Sequence, residues 1–143
     1  MDSDIPPAEY RHVYEFEVKF GDIDSMGHVN NVKFLSYLED ARVQMFYGDP
    51  VRKGEESLHG LVVARHEIDY RRPMSLTFRP VRVETWVTEI RNASFRLAYH
   101  IRDDEQIFAT AASVMVAFDP KKGRARRFTP SELEFLKRYL PPS

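Results

Sequence analysis

The 143-residue chain contains no cysteine, which excludes disulfides and thiolate metal sites. It has no apolar run approaching the ~18–20 residues of a membrane span, so no membrane insertion is expected. Its net charge of −1 lacks the basic excess of a general nucleic-acid binder. Internal repeats, low-complexity tracts and a second-domain linker are also missing. The five histidines (12, 28, 59, 66 and 100) are scattered without metal-ligand spacing. A calcium reading of DIDSMG fails, because an EF-hand loop needs oxygen at its fifth position and glutamate at its twelfth, and Met26 and Lys33 stand there. The opening MDSDIPPAEYRH is acidic and polar, unlike a signal peptide. What remains is 43% hydrophobic and 30% charged, the balance of one soluble globular domain. A cytoplasmic location fits that balance.

Residues 1–10 read as a flexible tail broken by Pro6-Pro7, with a single domain over 11–143. From Tyr14 to Phe20 the alternation predicts a half-exposed strand, with Tyr14, Phe16, Val18 and Phe20 on its inner face. A polar loop follows over 21–30. Phe34, Leu38, Ala41 and Met45 then recur at helical spacing and predict a helix from about Asn31 to Tyr47, capped by Asn30 or Asn31 and ended by Gly48-Asp49-Pro50. Its apolar side covers about half the circumference, which calls for a sheet wrapped around it. Four strand-like segments come next: Leu61 to Tyr70, Val81 to Ile90, Phe95 to Arg102 and Ile107 to Phe118. The last is rich in small residues on both faces, as in an interior strand. Thr129-Pro130-Ser131-Glu132 is a capping box opening a short helix to Leu140. One long helix against a mostly antiparallel sheet is an α+β fold.

The chemistry concentrates where the first strand meets the long helix. Asp24 precedes a helix start, whose free N–H groups carry partial positive charge. A carboxylate beside inward-pointing donors can attack, or activate water against, a carbonyl whose oxygen those donors hold. On spacing alone Asp24 reads more readily as an Asx-turn or helix-capping residue with no chemistry. Asp22 reads as a loop anchor that accepts backbone N–H groups, and Asn30 as a cap. His28 orders the loop, orients the carbonyl or water, or protonates a leaving thiolate. Glu39 and Arg42, three apart on the helix, read as an ion pair, with Glu39 a reserve carboxylate. Arg71-Arg72 and the basic run Lys121 to Arg127 are two candidate sites for phosphates or an acidic partner.

The stretch FGDIDSMGHVNNVKFLSYLEDAR, Phe20 to Arg42, resembles the hotdog-fold acyl-CoA thioesterases of the 4-hydroxybenzoyl-CoA thioesterase-like superfamily. The resemblance runs from about Tyr14 to Pro130. It implies a curved antiparallel β-sheet wrapped around one central helix, with acyl-CoA or acyl-carrier protein as substrate. It further implies no cofactor and no metal, and a homodimer or homotetramer with its sites at the subunit interface. It places the catalytic aspartate at Asp24 and the carbonyl-polarising N–H at Asn31, with His28 beside them. Asn30, Phe34, Tyr37, Arg71 and Arg72 are the expected substrate contacts. The string from His28 to Lys33 also looks like plastid acyl-ACP thioesterases, but Met26 replaces the asparagine they carry two positions before the histidine, which favours Asp24 over a histidine-centred mechanism. Two other readings stand beside hydrolysis: a hotdog hydratase or dehydratase, and a non-catalytic acyl-CoA-binding protein.

Overall fold

The computed structural model describes residues 5–142. Strand β1 is His12–Phe16, helix α1 Asn31–Val43 and helix α2 Asp49–Arg52; strands β2 (Leu61–Tyr70), β3 (Val81–Ile90), β4 (Ser94–Arg102), β5 (Ile107–Asp119) and β6 (Arg124–Ala125) follow, and helix α3 is Pro130–Lys137. The sheet is antiparallel, in the order β1-β3-β4-β5-β2, with β6 paired to the end of β5. It curls around α1. The stripe Phe34, Leu38, Ala41 and Met45 packs there against Val83, Val87, Leu97, Tyr99 and Ile101 in one core cluster. Leu38, Ala41 and Met45 are fully buried. Alternate residues of β3 and β4 supply the facing wall, as the pleat requires.

Several boundaries differ from the sequence reading. The first four residues of the expected tail lie outside the described residues; of the rest, Pro6 is buried and Ala8–Tyr10 form a 3₁₀ turn. β1 starts at His12 and stops at Phe16, and Phe20 is 82% exposed in a 3₁₀ turn over Phe20–Asp22 rather than turned inward. Lys19 to Asp22 must bend to bring Asp22 beneath the helix, which breaks the alternation early. The long helix does not end at Tyr47. A π-helical turn, Gln44–Gly48, joins α1 to α2, with the Asp49 N–H donating to the Gln44 carbonyl five residues back. Pro50 has no N–H for the Phe46 carbonyl; Leu58 N–H takes it at 3.1 Å. Leu58 thus supplies the donor that the proline withholds from that carbonyl, and Gly48 keeps right-handed helical angles.

The expected Glu39–Arg42 pair is also replaced. Glu39 faces solvent, while Arg42 turns inward and donates to the Tyr99 hydroxyl at 3.2 Å. Tyr99 in turn donates to Ser113 Oγ at 2.8 Å, and Ser113 meets His66 Nδ1 at 2.7 Å. Arg42 lies on the buried stripe, so it finds its partner on the sheet. Burial and the nearby Arg42 charge both hold the His66 pKa below its ordinary value.

β2 is an edge strand of 10 residues, and all but Leu61 and Ile68 are exposed. Its start is pinned by Gly60, which sits at φ +68 with its missing Cβ only 2.9 Å from the Phe118 carbonyl oxygen. The Phe118 N–H also bonds the Gly60 carbonyl at 2.8 Å. Gly60→Ala incurs both left-handed strain and a backbone clash. We expect it to lower stability by about 1–3 kcal/mol, read as a drop in thermal midpoint.

Candidate active site

The loop between β1 and α1 is shaped chiefly by main-chain bonds. Asp24 N–H donates to the His28 carbonyl at 2.9 Å, and Gly27 N–H to the Asp24 carbonyl at 3.0 Å. Ile23 and Val29 form an antiparallel bridge. Asn30 N–H reaches back to the Asp22 carbonyl at 3.0 Å, and Val29 N–H ties the loop to Met74 at 2.7 Å, in the crossing between β2 and β3.

Asp22 anchors this loop from below. Its Oδ2 accepts the Lys19 N–H at 3.0 Å and the Tyr37 hydroxyl at 2.7 Å, and the Lys33 ammonium lies 3.7 Å from Oδ1. Burial acts to raise the Asp22 pKa, yet the Tyr37 and Lys19 hydrogen bonds and the lysine charges outweigh it and hold it below the ordinary 3.8. Burial and the Asp22 carboxylate push Tyr37 far up. A carboxyl depressed in the folded state contributes stability that is complete above its unfolded pKa and is lost as pH falls through its folded value. We therefore expect the stability advantage of the wild type over Asp22→Asn to shrink below about pH 4, measured as thermal midpoint against pH.

Asn30 caps α1: its Oδ1 accepts the Val32 N–H at 3.0 Å, and its carbonyl accepts the Lys33 N–H at 2.8 Å. The Asn31 N–H, first of the helix, has no intrahelical acceptor. Beside it a cleft of about 310 Å³ brings together Asp24, His28, Asn31, Phe34, Tyr70, Arg71 and Arg72. Asp24, His28 and Asn31 are exposed along it. The Asp24 Oδ1 accepts the Met26 N–H at 2.9 Å, which fixes the side chain while Oδ2 stays open to chemistry. Arg71 is steadied through Nε by the Thr110 hydroxyl at 3.2 Å.

Six of the eight residues singled out from sequence thus line one cleft, and two do not. Asn30 is engaged as the cap. Tyr37 points into the core, 6% exposed, with its ring 4.3 Å from Phe16. Tyr70 was not foreseen. It ends β2, donates its hydroxyl to the Asn31 carbonyl at 3.1 Å and meets the Phe34 ring edge-on at 5.3 Å. Only strand pairing brings it there, and no local motif marks it. The basic run Lys121 to Arg127 lies at the far end of β5, where Arg126 is engaged in a two-pronged pair with Glu132 at 2.8 and 2.9 Å. A second, more apolar groove of about 660 Å³, walled by Phe16, Val18, Phe20, Leu76 and Phe78, shares no lining residue with the Asp24 cleft. Among the described residues no group of three or more histidines and carboxylates is placed to hold a metal ion, and no helix is long and apolar enough to cross a membrane.

A curled antiparallel sheet around one long helix, with a carboxylate loop at that helix's start, is the hotdog architecture. The model of the thioesterase-like superfamily matches residues 18–136, and the chain belongs to that superfamily. The structure of a predicted thioesterase from Bacillus stearothermophilus superimposes with a TM-score of 0.79 at 23% identity, covering 93% of this chain and 99% of that one. A thioesterase from Thermus thermophilus, solved in complex with coenzyme A and Zn, is 30% identical over 92% of this chain and 96% of its own, with a TM-score of 0.74. The uncharacterized protein YsmA of Bacillus subtilis (strain 168) is 28% identical over 140 residues, covering 93% of this chain and 92% of its own.

Proposed function

We propose that the chain is an acyl-CoA thioesterase that hydrolyses an acyl thioester to a carboxylic acid and the free thiol. The observation that carries this reading is the shared cleft, in which the Asp24 carboxylate faces the start of α1 at Asn31. The thioester carbonyl oxygen accepts the Asn31 N–H, and the helix dipole favours the charge that builds there. Asp24 then acts in one of two ways. As nucleophile it bonds to the carbonyl carbon, the C–S bond breaks, the thiolate leaves, and water cleaves the resulting anhydride. As general base it takes a proton from water, whose oxygen attacks the same carbon with the same leaving group. Either route consumes one water. His28, on the same loop, orients the carbonyl or water. Phe34, with Tyr70, forms the apolar side against the acyl group, and Arg71 and Arg72 face the thiol half.

The coenzyme A bound to the Thermus thermophilus thioesterase supports a CoA thioester as substrate. The exposed edge of β2 supports a homo-oligomer, because a 10-residue strand with one open hydrogen-bonding side is a template for pairing with a second copy. Tyr70, at the end of that strand, lies in the cleft, so such pairing sets the site at the subunit interface. A cytoplasmic location suits CoA chemistry. The test is thiol release with a panel of short, medium, long and aromatic acyl-CoAs. Turnover of at least one acyl class is expected, and no turnover of any would overturn the reading.

A further inference from the structure

The uncovered side of α1 has two unlike halves. Tyr37 meets Phe16 of β1 on one flank of the helix, and Asn31 meets Tyr70 of β2 on the other. Next to the β1 flank stand Lys33, Ser36 and Asp40, polar as a solvated face should be. Next to the β2 flank stand Val32, Leu35, Glu39 and Val43, apolar except for Glu39, with Val32 68% exposed. β2 continues that surface. A register shift between Val63 and Arg65 puts Val63 on the same face as His66, Ile68 and Tyr70, because their partners Met115, Ser113, Ala111 and Ala109 alternate along one face of β5.

Two opposite charges stand in this apolar setting. Arg42 is buried, yet among the described residues its guanidinium meets only the Tyr99 hydroxyl and no carboxylate. Glu39, three residues earlier, has neither a hydrogen bond nor an ion pair among them. A buried cation without a counter-charge is costly, and so is a carboxylate on an apolar stripe once that stripe is covered. An interface between identical copies resolves both at once.

The charges of β2 fix where two copies meet. Residues directly opposite in an antiparallel pair share a face, so a two-fold axis sets one residue of β2 against itself. At Arg65 or at Glu67 the axis opposes like charges. At His66 it sets Arg65 opposite Glu67 of the partner subunit, twice. His66 ends the hydrogen-bonded chain that runs from Arg42 through Tyr99 and Ser113. The same axis therefore brings each Arg42 close to the boundary between copies. Glu39, about 4.5 Å from Arg42 along the helix, lies on the side of α1 turned toward that boundary.

We infer that Glu39 of the partner subunit is the counter-ion of Arg42, so that two reciprocal ion pairs lock identical copies together beneath joined β2 strands. This rests on the homo-oligomer reading and not on the proposed hydrolysis.

The experiment measures the dimer dissociation constant of the full chain by analytical ultracentrifugation. Glu39→Arg is expected to raise it roughly 100-fold or more, because the contact breaks twice. Asp40→Arg makes the same charge change on the β1 side and is expected to leave it within about threefold. Arg42→Glu alone is expected to weaken the dimer as Glu39→Arg does. An equimolar mixture of Glu39→Arg and Arg42→Glu is expected to restore the dimer, since both pairs across the interface again join opposite charges. A pair within one chain gives no such rescue. Should Arg42→Glu fail to fold by circular dichroism, a cycle of Glu39→Gln and Arg42→Met takes its place, with non-additive losses of affinity expected. A dimeric wild type whose affinity Glu39→Arg leaves untouched, a mixture without rescue, or additive losses in the cycle would overturn the ion pair and keep the homo-oligomer. A wild type that stays monomeric at high micromolar concentration would overturn both.

Discussion

Asp24→Asn is expected to lower kcat for thioester hydrolysis on the order of 10²–10⁴-fold while leaving KM and the thermal midpoint close to wild type. In the proposed mechanism the carboxylate attacks the carbonyl carbon or takes the proton of water, and the amide can do neither. It keeps the local structure, because an amide oxygen accepts the Met26 N–H as the carboxylate Oδ1 does. Asp24 is exposed, so the substitution creates no buried unsatisfied group. The measurement is dye-monitored thiol release on the best acyl-CoA, with circular dichroism to check the fold. Wild-type rates in Asp24→Asn would remove Asp24 from the chemistry and turn attention to Glu39, the exposed carboxylate farther along α1.

The second large effect concerns stability. Asp22→Ala is expected to cost about 2–4 kcal/mol in chemical denaturation. The alanine strands the Lys19 N–H and the buried Tyr37 hydroxyl together and removes the partner of Lys33. Tyr37→Phe, which removes one donor and leaves Asp22 its remaining partners, is expected to cost about 1 kcal/mol. The double variant should cost less than the sum, since the two side chains share one bond. Because the Asp22 carboxylate is what ties the loop to Tyr37 and Lys33 of α1, the loop loses that footing, although the main-chain carbonyl at position 22 still accepts the Asn30 N–H. Activity in Asp22→Ala should then fall more steeply with temperature than in Asp24→Asn. Additive costs in the double variant would show that the Tyr37–Asp22 bond is not what holds the loop.

The fold was legible wherever one face of an element is dry and the other wet. The helix stripe from Phe34 to Met45 and the alternation in β4 each carry their own burial pattern, so β4 and the body of α1 fall where the periodicity puts them, while β3 follows the bound set by Pro80. Legibility fails where satisfaction comes from afar. Nothing near Pro50 announces that Leu58 will take the orphaned Phe46 carbonyl, so the π turn and α2 escape a local reading. Arg42 reads as the ion-pair partner of Glu39 until Tyr99, 57 residues on, supplies a hydroxyl inside the core. The same division holds at the site. Asp24, His28 and Asn31 lie in one short stretch and are found together. Tyr70 reaches it only through the pairing of β2 with β5.

The loop from Asp22 to Asn30 is a mould cast in main chain. Its curvature is written in N–H and carbonyl groups that every residue type except proline possesses, so shape and chemistry are stored in separate layers of the same short segment. Side chains at Ser25, Met26 and His28 project outward from that mould and can be exchanged without recasting it. The layers merge at Asp24, whose Oδ1 accepts the Met26 N–H, and at Gly27, where at φ +82 the absence of a side chain is what permits the curve. The groups this loop presents to the cleft can therefore be changed as text is set in an existing frame, provided that the glycine stays.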